Sequence, residues 1–220
     1  MVIALTKARV ATLKSPAPAL SLVEYEDLSV GDHLERMQRY VEILLEHCHE
    51  NWNISTEDKE KIILASVLHD AGKSVIPAEI LAKPTRLTEE EFNQVKLHTI
   101  AAADVFARVS VVCEEIGAES NYLTLAMDIA LHHHEKWDGT GYPLQLKGEE
   151  IPFPARVIAI ADVYDALTSR RPYKKPWSHE EAFKTIVGDS GQHFDPALIE
   201  VFKSCADKFR MVSGDERHLG

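Results

Sequence analysis

Two stretches more than sixty residues apart concentrate the side chains that bind metals and phosphate. They are Leu68-His69-Asp70-Ala71-Gly72-Lys73 and His133-His134-Glu135-Lys136-Trp137-Asp138-Gly139-Thr140-Gly141-Tyr142-Pro143. Imidazoles beside a carboxylate suit a divalent cation, and an ammonium three residues after Asp70 suits a phosphate oxygen. If the two stretches meet in space, the chemistry they offer is metal-dependent hydrolysis of a small phosphodiester.

Helices must carry these residues to one place. From Asp32 onward Leu34, Met37, Val41, Leu44, Leu45 and Cys48 recur at steps of three and four, which predicts an amphipathic helix with His33 in its first turn and Arg36 one turn on. Ser55 with Asp58 reads as a cap, and Ile62, Ile63, Ser66 and Val67 carry a second helix to His69 and Asp70, where Gly72 breaks it. Thr88 with Glu91 is a capping box opening a long helix on which Val95, His98, Ala102, Val105 and Val109 share a face. A fourth helix presents Leu125, Ile129 and His133. Residues 135 to 152 hold Gly139, Gly141, Pro143, Gly148 and Pro152, too many breakers for regular structure, and read as a functional loop. Pro154 suits the first turn of a fifth helix, with Asp162 and Asp165 on one side. Ser178 with Glu181 caps a sixth, and Asp195-Pro196 starts a seventh. No segment alternates with period two long enough for a strand. The expected fold is an all-α, single-domain bundle of about seven helices spanning 29–211, with a leader or linker over 1–28 and a frayed tail over 212–220.

His33, His69, Asp70, His98, His133, His134 and Asp162 fall on five of these helices, at polar interruptions of apolar faces. Burying so many imidazoles and carboxylates without partners costs several kcal/mol for each charged group, and metal coordination removes that cost. Seven donors exceed what one transition metal accepts while keeping an open position, so the count points to two ions with Asp70 as the bridging carboxylate. Nitrogen and oxygen donors without thiolate suit iron, manganese or zinc. Such a pair acidifies a bridging water and supplies a hydroxide nucleophile near neutral pH.

Composition narrows the partners. A net charge of -11 over 220 residues argues against a nucleic-acid polymer or an anionic membrane, both of which need a basic face. Cys48, Cys113 and Cys205 are few, odd in number and widely spaced, which suits reduced thiols in a cytoplasmic protein. The apolar opening Met1 to Leu5 lacks the features of a signal peptide, and no apolar run is long enough to cross a membrane.

From about His33 to Phe202 the sequence resembles the HD-GYP domain, the subset of the HD metal-dependent phosphohydrolase superfamily that hydrolyses cyclic di-GMP. The resemblance runs through His33 with Arg36, His69-Asp70-Ala71-Gly72-Lys73 followed by Ile76-Pro77, and Leu87-Thr88-Glu89-Glu90-Glu91 leading to His98. It continues through His133-His134-Glu135, Asp138-Gly139-Thr140-Gly141-Tyr142-Pro143, Ala161 to Ser169, and Arg171-Pro172-Tyr173-Lys174. It implies that the seven donors above are the metal ligands, that Lys73 contacts the scissile phosphate, and that Arg171 and Lys174 hold the ligand's phosphates. The implied reaction opens cyclic di-GMP to linear pGpG, and whether it stops there or continues to GMP is open. Some members of the family add a carboxylate four residues before the first histidine and bind a third metal; here that position is Ser29, which favours two, with nearby Glu26 and Asp27 as the alternative carboxylates.

Several residues carry alternatives. Tyr142, expected as an exposed ring, suits stacking on a base or contact with a protein partner such as a cyclase. Asp165 could orient a metal ligand or hydrogen-bond a guanine edge. Lys73 could cap the preceding helix, and Trp137 suits packing. Arg170, Arg171, Lys174 and Lys175 form the local anion site of an acidic chain, while His47, His49, His132, His179, His193 and His218 read as surface or structural. Beside the enzyme stand two other readings: a catalytically weak module that senses a cyclic dinucleotide or docks on a partner through the loop, and a phosphodiesterase for another cyclic dinucleotide such as cyclic GMP-AMP. Oligomeric state is open, a dimer included.

Overall fold

A computed structural model describes residues 29–48, 52–117, 120–169 and 175–214 of the chain. The expected leader over 1–28 lies outside these residues, as do Arg171 and Lys174. Among the described residues the fold is all helical. The α-helices are α1 Ser29–His47, α2 Thr56–Ser66, α3 Ala78–Leu81, α4 Glu89–Glu115, α5 Asn121–His132, α6 Phe153–Thr168, α7 His179–Gly188 and α8 Pro196–Ser213. Two 3-10 turns, Ala71–Val75 and Gly148–Glu150, complete it, and the only β-like feature among the described residues is a lone bridge between Ser190 and Phe194.

The helix starts follow local chemistry. The Ser55 hydroxyl accepts the Asp58 N–H at 3.0 Å, and complete capping boxes join Thr88 to Glu91 and Ser178 to Glu181. The Asp195 carboxylate accepts the Ala197 N–H at 2.8 Å ahead of Pro196. At the other end of α8, Gly214 closes the helix at φ 67°, so the helical chain runs two residues past the predicted end at Met211.

α6 is the central element. Ala155, Val157, Ile158, Ile160, Ala161 and Tyr164 are all buried, because α1, α5, α7 and α8 pack around it. Tyr40 from α1 stacks on Phe209 from α8 at 4.6 Å, and Tyr164 meets both edge-on. The Tyr164 hydroxyl and His179 Nδ1 are hydrogen-bonded at 2.8 Å, which makes His179 a structural residue. α6 can therefore project Asp162 and Asp165 from a rigid base.

Three local expectations are corrected. α2 stops at Ser66, so His69 and Asp70 sit in the turn beyond it rather than on the helix. Gly72 is not the breaker: it lies in the 3-10 turn where the backbone presses on α4, and a Cβ there would fall 1.9 Å from the His98 carbonyl oxygen. That close approach brings Asp70 up to His98. Val105, expected on the buried face of α4, is 54% exposed.

Candidate metal centre

The expected donors converge from five parts of the fold. His33 comes from the second turn of α1, His69 and Asp70 from the turn after α2, His98 from α4, His133 and His134 from the end of α5, and Asp162 from α6. Donor atoms of Asp70, His98, His133 and His134 lie within 4.8 Å of one another, and so do those of His33, His69 and Asp70. Asp70 belongs to both groups. Its Oδ1 is 3.4 Å from His98 Nε2 and 3.8 Å from His133 Nε2, while its Oδ2 is 3.3 Å from His69 Nε2. Asp162 Oδ1 lies 3.8 Å from His69 Nε2.

Divalent cations fit this set, on the strength of its unsatisfied atoms. His69 Nε2, His98 Nε2, His133 Nε2 and Asp70 Oδ1 are all buried without a hydrogen-bond partner, although buried polar atoms are nearly always paired. The opposite ring nitrogens are engaged. His69 Nδ1 is 2.7 Å from the Ser66 carbonyl, His98 Nδ1 is 2.6 Å from that of Val95, and His133 Nδ1 is 3.0 Å from that of Ala130. A carbonyl oxygen only accepts, so each Nδ1 carries a proton and Nε2 is the nitrogen that each ring turns to the shared space.

The electrostatics agree. Burial pushes His98 and, still further, His133 below the usual imidazole range, and it takes His134 to about 3, so these rings are neutral donors. His69 is the exception: burial lowers it, but the Asp70 and Asp162 carboxylates outweigh burial and raise it to about 9, so a cation bound there would displace the proton on Nε2. Burial disfavours the Asp70 carboxylate, yet the Lys73 ammonium and then His69 hold it ionised. Lys73 Nζ donates to Asp70 Oδ2. An anion-seeking side chain thus stands at the rim of the donor cluster.

His33 is held by a second layer. Its Nδ1 donates to Asp165 Oδ2 at 2.8 Å, and the Arg36 guanidinium donates to both oxygens of Asp165. Arg36 also reaches Ser169 Oγ at 2.8 Å. Burial opposes ionisation of Asp165, but His33 and Arg36 bring it down to about 2. Asp165 is buried with both oxygens taken, so its placement among substrate contacts is corrected: it faces His33, not a guanine edge.

The Gly-rich loop is folded back on the end of α5. The Tyr142 N–H donates to the His134 carbonyl at 3.2 Å, and the Tyr142 ring stacks on that of His134 at 4.8 Å. Tyr142 is thus half-buried, not the exposed ring expected of a Gly-rich loop. Burial, then the Asp70 and Asp162 carboxylates, keeps its phenol protonated. Sequence reasoning assigned no role to Glu135, whose buried carboxylate accepts the Leu144 and Leu146 N–H groups at 2.6 and 3.2 Å. Outside the loop lies a groove of about 550 Å³ lined by Phe92, Lys96, Leu97, Ile100, Lys136 and Tyr142. Phe92, Leu97 and Ile100 are spaced along α4, but only the fold reveals that this stripe faces the loop.

Comparison with known proteins places this geometry. A family model described as HD domain matches residues 28–198. The chain is 45% identical over 197 residues, 88% of its length and 39% of the relative's, to a Vibrio cholerae protein named cyclic di-GMP phosphodiesterase. It is 36% identical over 187 residues, 85% of its length and 33% of the relative's, to a second Vibrio cholerae protein named 3'3'-cGAMP-specific phosphodiesterase 2. The chain spans less than half the length of either relative. Among solved structures, an HDG"Y"P protein from Bdellovibrio bacteriovorus shares the fold, with a TM-score of 0.57 at 17% identity over 91% of this chain and 59% of that one. With the family match covering most of its length and the motifs at His69-Asp70 and Gly141-Tyr142-Pro143 in place, the chain belongs to the HD domain family, within its HD-GYP group.

Proposed function

We propose that this chain is a metal-dependent phosphodiesterase that opens cyclic di-GMP to pGpG. The observation that carries this reading is the set of four buried, unpartnered donor atoms on His69, Asp70, His98 and His133, with Lys73 beside Asp70. Divalent cations held by His33, His69, Asp70, His98, His133, His134 and Asp162 would supply Lewis acidity, acidifying a water and neutralising phosphate oxygens. We favour two ions, iron or manganese first and zinc as the alternative, because Asp70 belongs to both donor groups and no thiolate joins them.

The protein's own residues do the positioning. Asp165 and Arg36 fix the His33 ring, and the backbone carbonyls fix His69, His98 and His133, so the donors need no reorganisation. Lys73 exchanges Asp70 for a phosphate oxygen as charge builds there. Arg171 and Lys174, outside the described residues, hold the ligand's phosphates. A cyclase or similar protein partner would dock at the groove beside the loop, where Phe92, Leu97 and Ile100 are exposed. The free thiols Cys48, Cys113 and Cys205 support a cytoplasmic setting, and no described helix is long and apolar enough to cross a membrane.

The test is turnover. Protein loaded anaerobically with iron(II), manganese(II) or zinc(II) is given cyclic di-GMP and 3'3'-cGAMP separately and in competition, and the products are separated by chromatography. We expect pGpG from cyclic di-GMP. Preference for the mixed dinucleotide, which the name of the second relative motivates, would move the substrate but keep the reaction. No cleavage of either with any metal would overturn the enzyme reading in favour of a sensing or docking module.

A further inference from the structure

Five imidazoles surround the candidate metal centre, and four are oriented alike. His33, His69, His98 and His133 each engage Nδ1 in a hydrogen bond, to the Asp165 carboxylate or to a carbonyl one turn back, which fixes both tautomer and ring plane. His134 differs: among the described residues its ring makes no hydrogen bond. It is held by rings instead. Tyr142 stacks on it with centroids 4.8 Å apart and planes 27° apart, and His133 and His98 close the other sides at 4.0 and 5.1 Å.

The loop is built to keep Tyr142 there. Gly141 rests so closely on the start of the loop that a Cβ would fall 2.3 Å from the Lys136 nitrogen and 2.5 Å from Glu135 Cα. The Tyr142 N–H is tied to the His134 carbonyl, and the buried Glu135 carboxylate holds the returning chain through Leu144 and Leu146. From α4, Phe92 meets the Tyr142 ring edge-on at 6.2 Å and Lys96 Nζ stands 5.7 Å from its centroid. A side chain supported from both directions is a poor candidate for a freely adaptable ligand contact.

We propose that Tyr142 is the positioning residue of His134: its stacked ring sets the imidazole plane, as an N–H···O hydrogen bond does for the other four histidines, and Glu135 is the latch that keeps the ring in place. This rests on the reading that the cluster takes divalent cations. His134 belongs to the donor group with Asp70, His98 and His133 and not to that with His33 and His69. The effect of losing the stack is therefore confined to one cation position.

The experiment titrates manganese(II), followed by calorimetry, into the metal-free protein, with metal-free thermal melts alongside. Tyr142→Leu is expected to weaken one of two binding events by about 10- to 100-fold, the usual effect of removing a group that orients a ligand, and to leave the other unchanged. Tyr142→Phe keeps the ring and is expected to restore both events, while Glu135→Gln should weaken the same event as Tyr142→Leu. Wild-type affinities in Tyr142→Leu would overturn the proposal and return the tyrosine to substrate or partner contact. Loss of both events together with a lowered metal-free melting temperature in Tyr142→Leu and Tyr142→Phe would overturn it as general misfolding. A wild type that binds no manganese removes the metal reading itself, and this inference with it, whatever the variants do.

Discussion

Arg36 grips both carboxylate oxygens of Asp165, with Nε 2.6 Å from Oδ1 and Nη2 3.1 Å from Oδ2. Asp165 passes that restraint to His33, so one part-buried ionic link joins α1 to α6 beside the donor cluster. Replacing Asp165 by Asn keeps the shape but removes the charge that favours the Nδ1 proton of His33. We expect metal affinity to fall by about 10- to 100-fold. Competition with a fluorescent chelator measures it, and an unchanged affinity would show that His33 does not depend on this carboxylate.

Asp70 and Lys73 should separate binding from rate. Asp70→Ala removes the donor common to both groups, so bound metal and turnover should disappear together. Lys73→Ala removes only the ammonium at the rim; we expect near-normal metal content and a kcat lower by about 100- to 1,000-fold, the scale of losing one preorganised charge-stabilising donor. Elemental analysis beside initial rates distinguishes the two variants. Full metal content in Asp70→Ala would refute its bridging role.

Gly72 should be intolerant of any side chain. The methyl group of Gly72→Ala would collide with the His98 carbonyl oxygen and Ala102 nitrogen, both helix backbone that cannot swing aside. Overpacking of this kind costs about 1–3 kcal/mol. For a domain of this size each kcal/mol lowers Tm by roughly 2–4 °C. Calorimetric melting of the metal-free variant would measure the shift, and the same displacement should also move Asp70 away from His98 and weaken metal binding.

His193 should contribute a pH dependence of its own. Burial, then the Lys136 ammonium, pushes this imidazole from the ordinary 6.5 down to about 4, so between those values the unfolded chain binds more protons than the folded one. Stability from the neutral ring is therefore complete above pH 6.5 and lost as the pH falls toward 4, by up to about 1.4 kcal/mol per pH unit. Urea unfolding of metal-free protein at several pH values should show a shallower acid loss in His193→Phe, which keeps the stack on Phe194. Equal slopes in the two proteins would refute the assignment.

Much of this architecture can be read from the chain because its signals are local. Thr88 with Glu91 and Ser178 with Glu181 are reciprocal caps within four residues, and the apolar steps from Leu34 to Leu45 need only a helical period. His33, His98 and Asp162 could be picked out as candidate donors for the same reason, since each stands among the apolar positions of a helix. What the chain hides is set by tertiary approach. α2 ends at Ser66 although its pattern continues, since the turn must bring Asp70 against α4. Val105 continues the period of His98 and Ala102 but lies where no described helix covers α4. α3 is a single turn, too short for any periodicity to show. Glu135 looks like one more charge in a polar loop until Leu144 and Leu146 return to it.

The donors are drawn from both halves of the chain, His33 near its start and Asp162 more than a hundred residues later. Ions held between them would act as reversible cross-links closing very long loops, and such closures withdraw entropy from the unfolded chain. Starvation for the metal would thus do more than idle the protein: it would leave the chain open to proteolysis, so that cellular abundance follows metal supply.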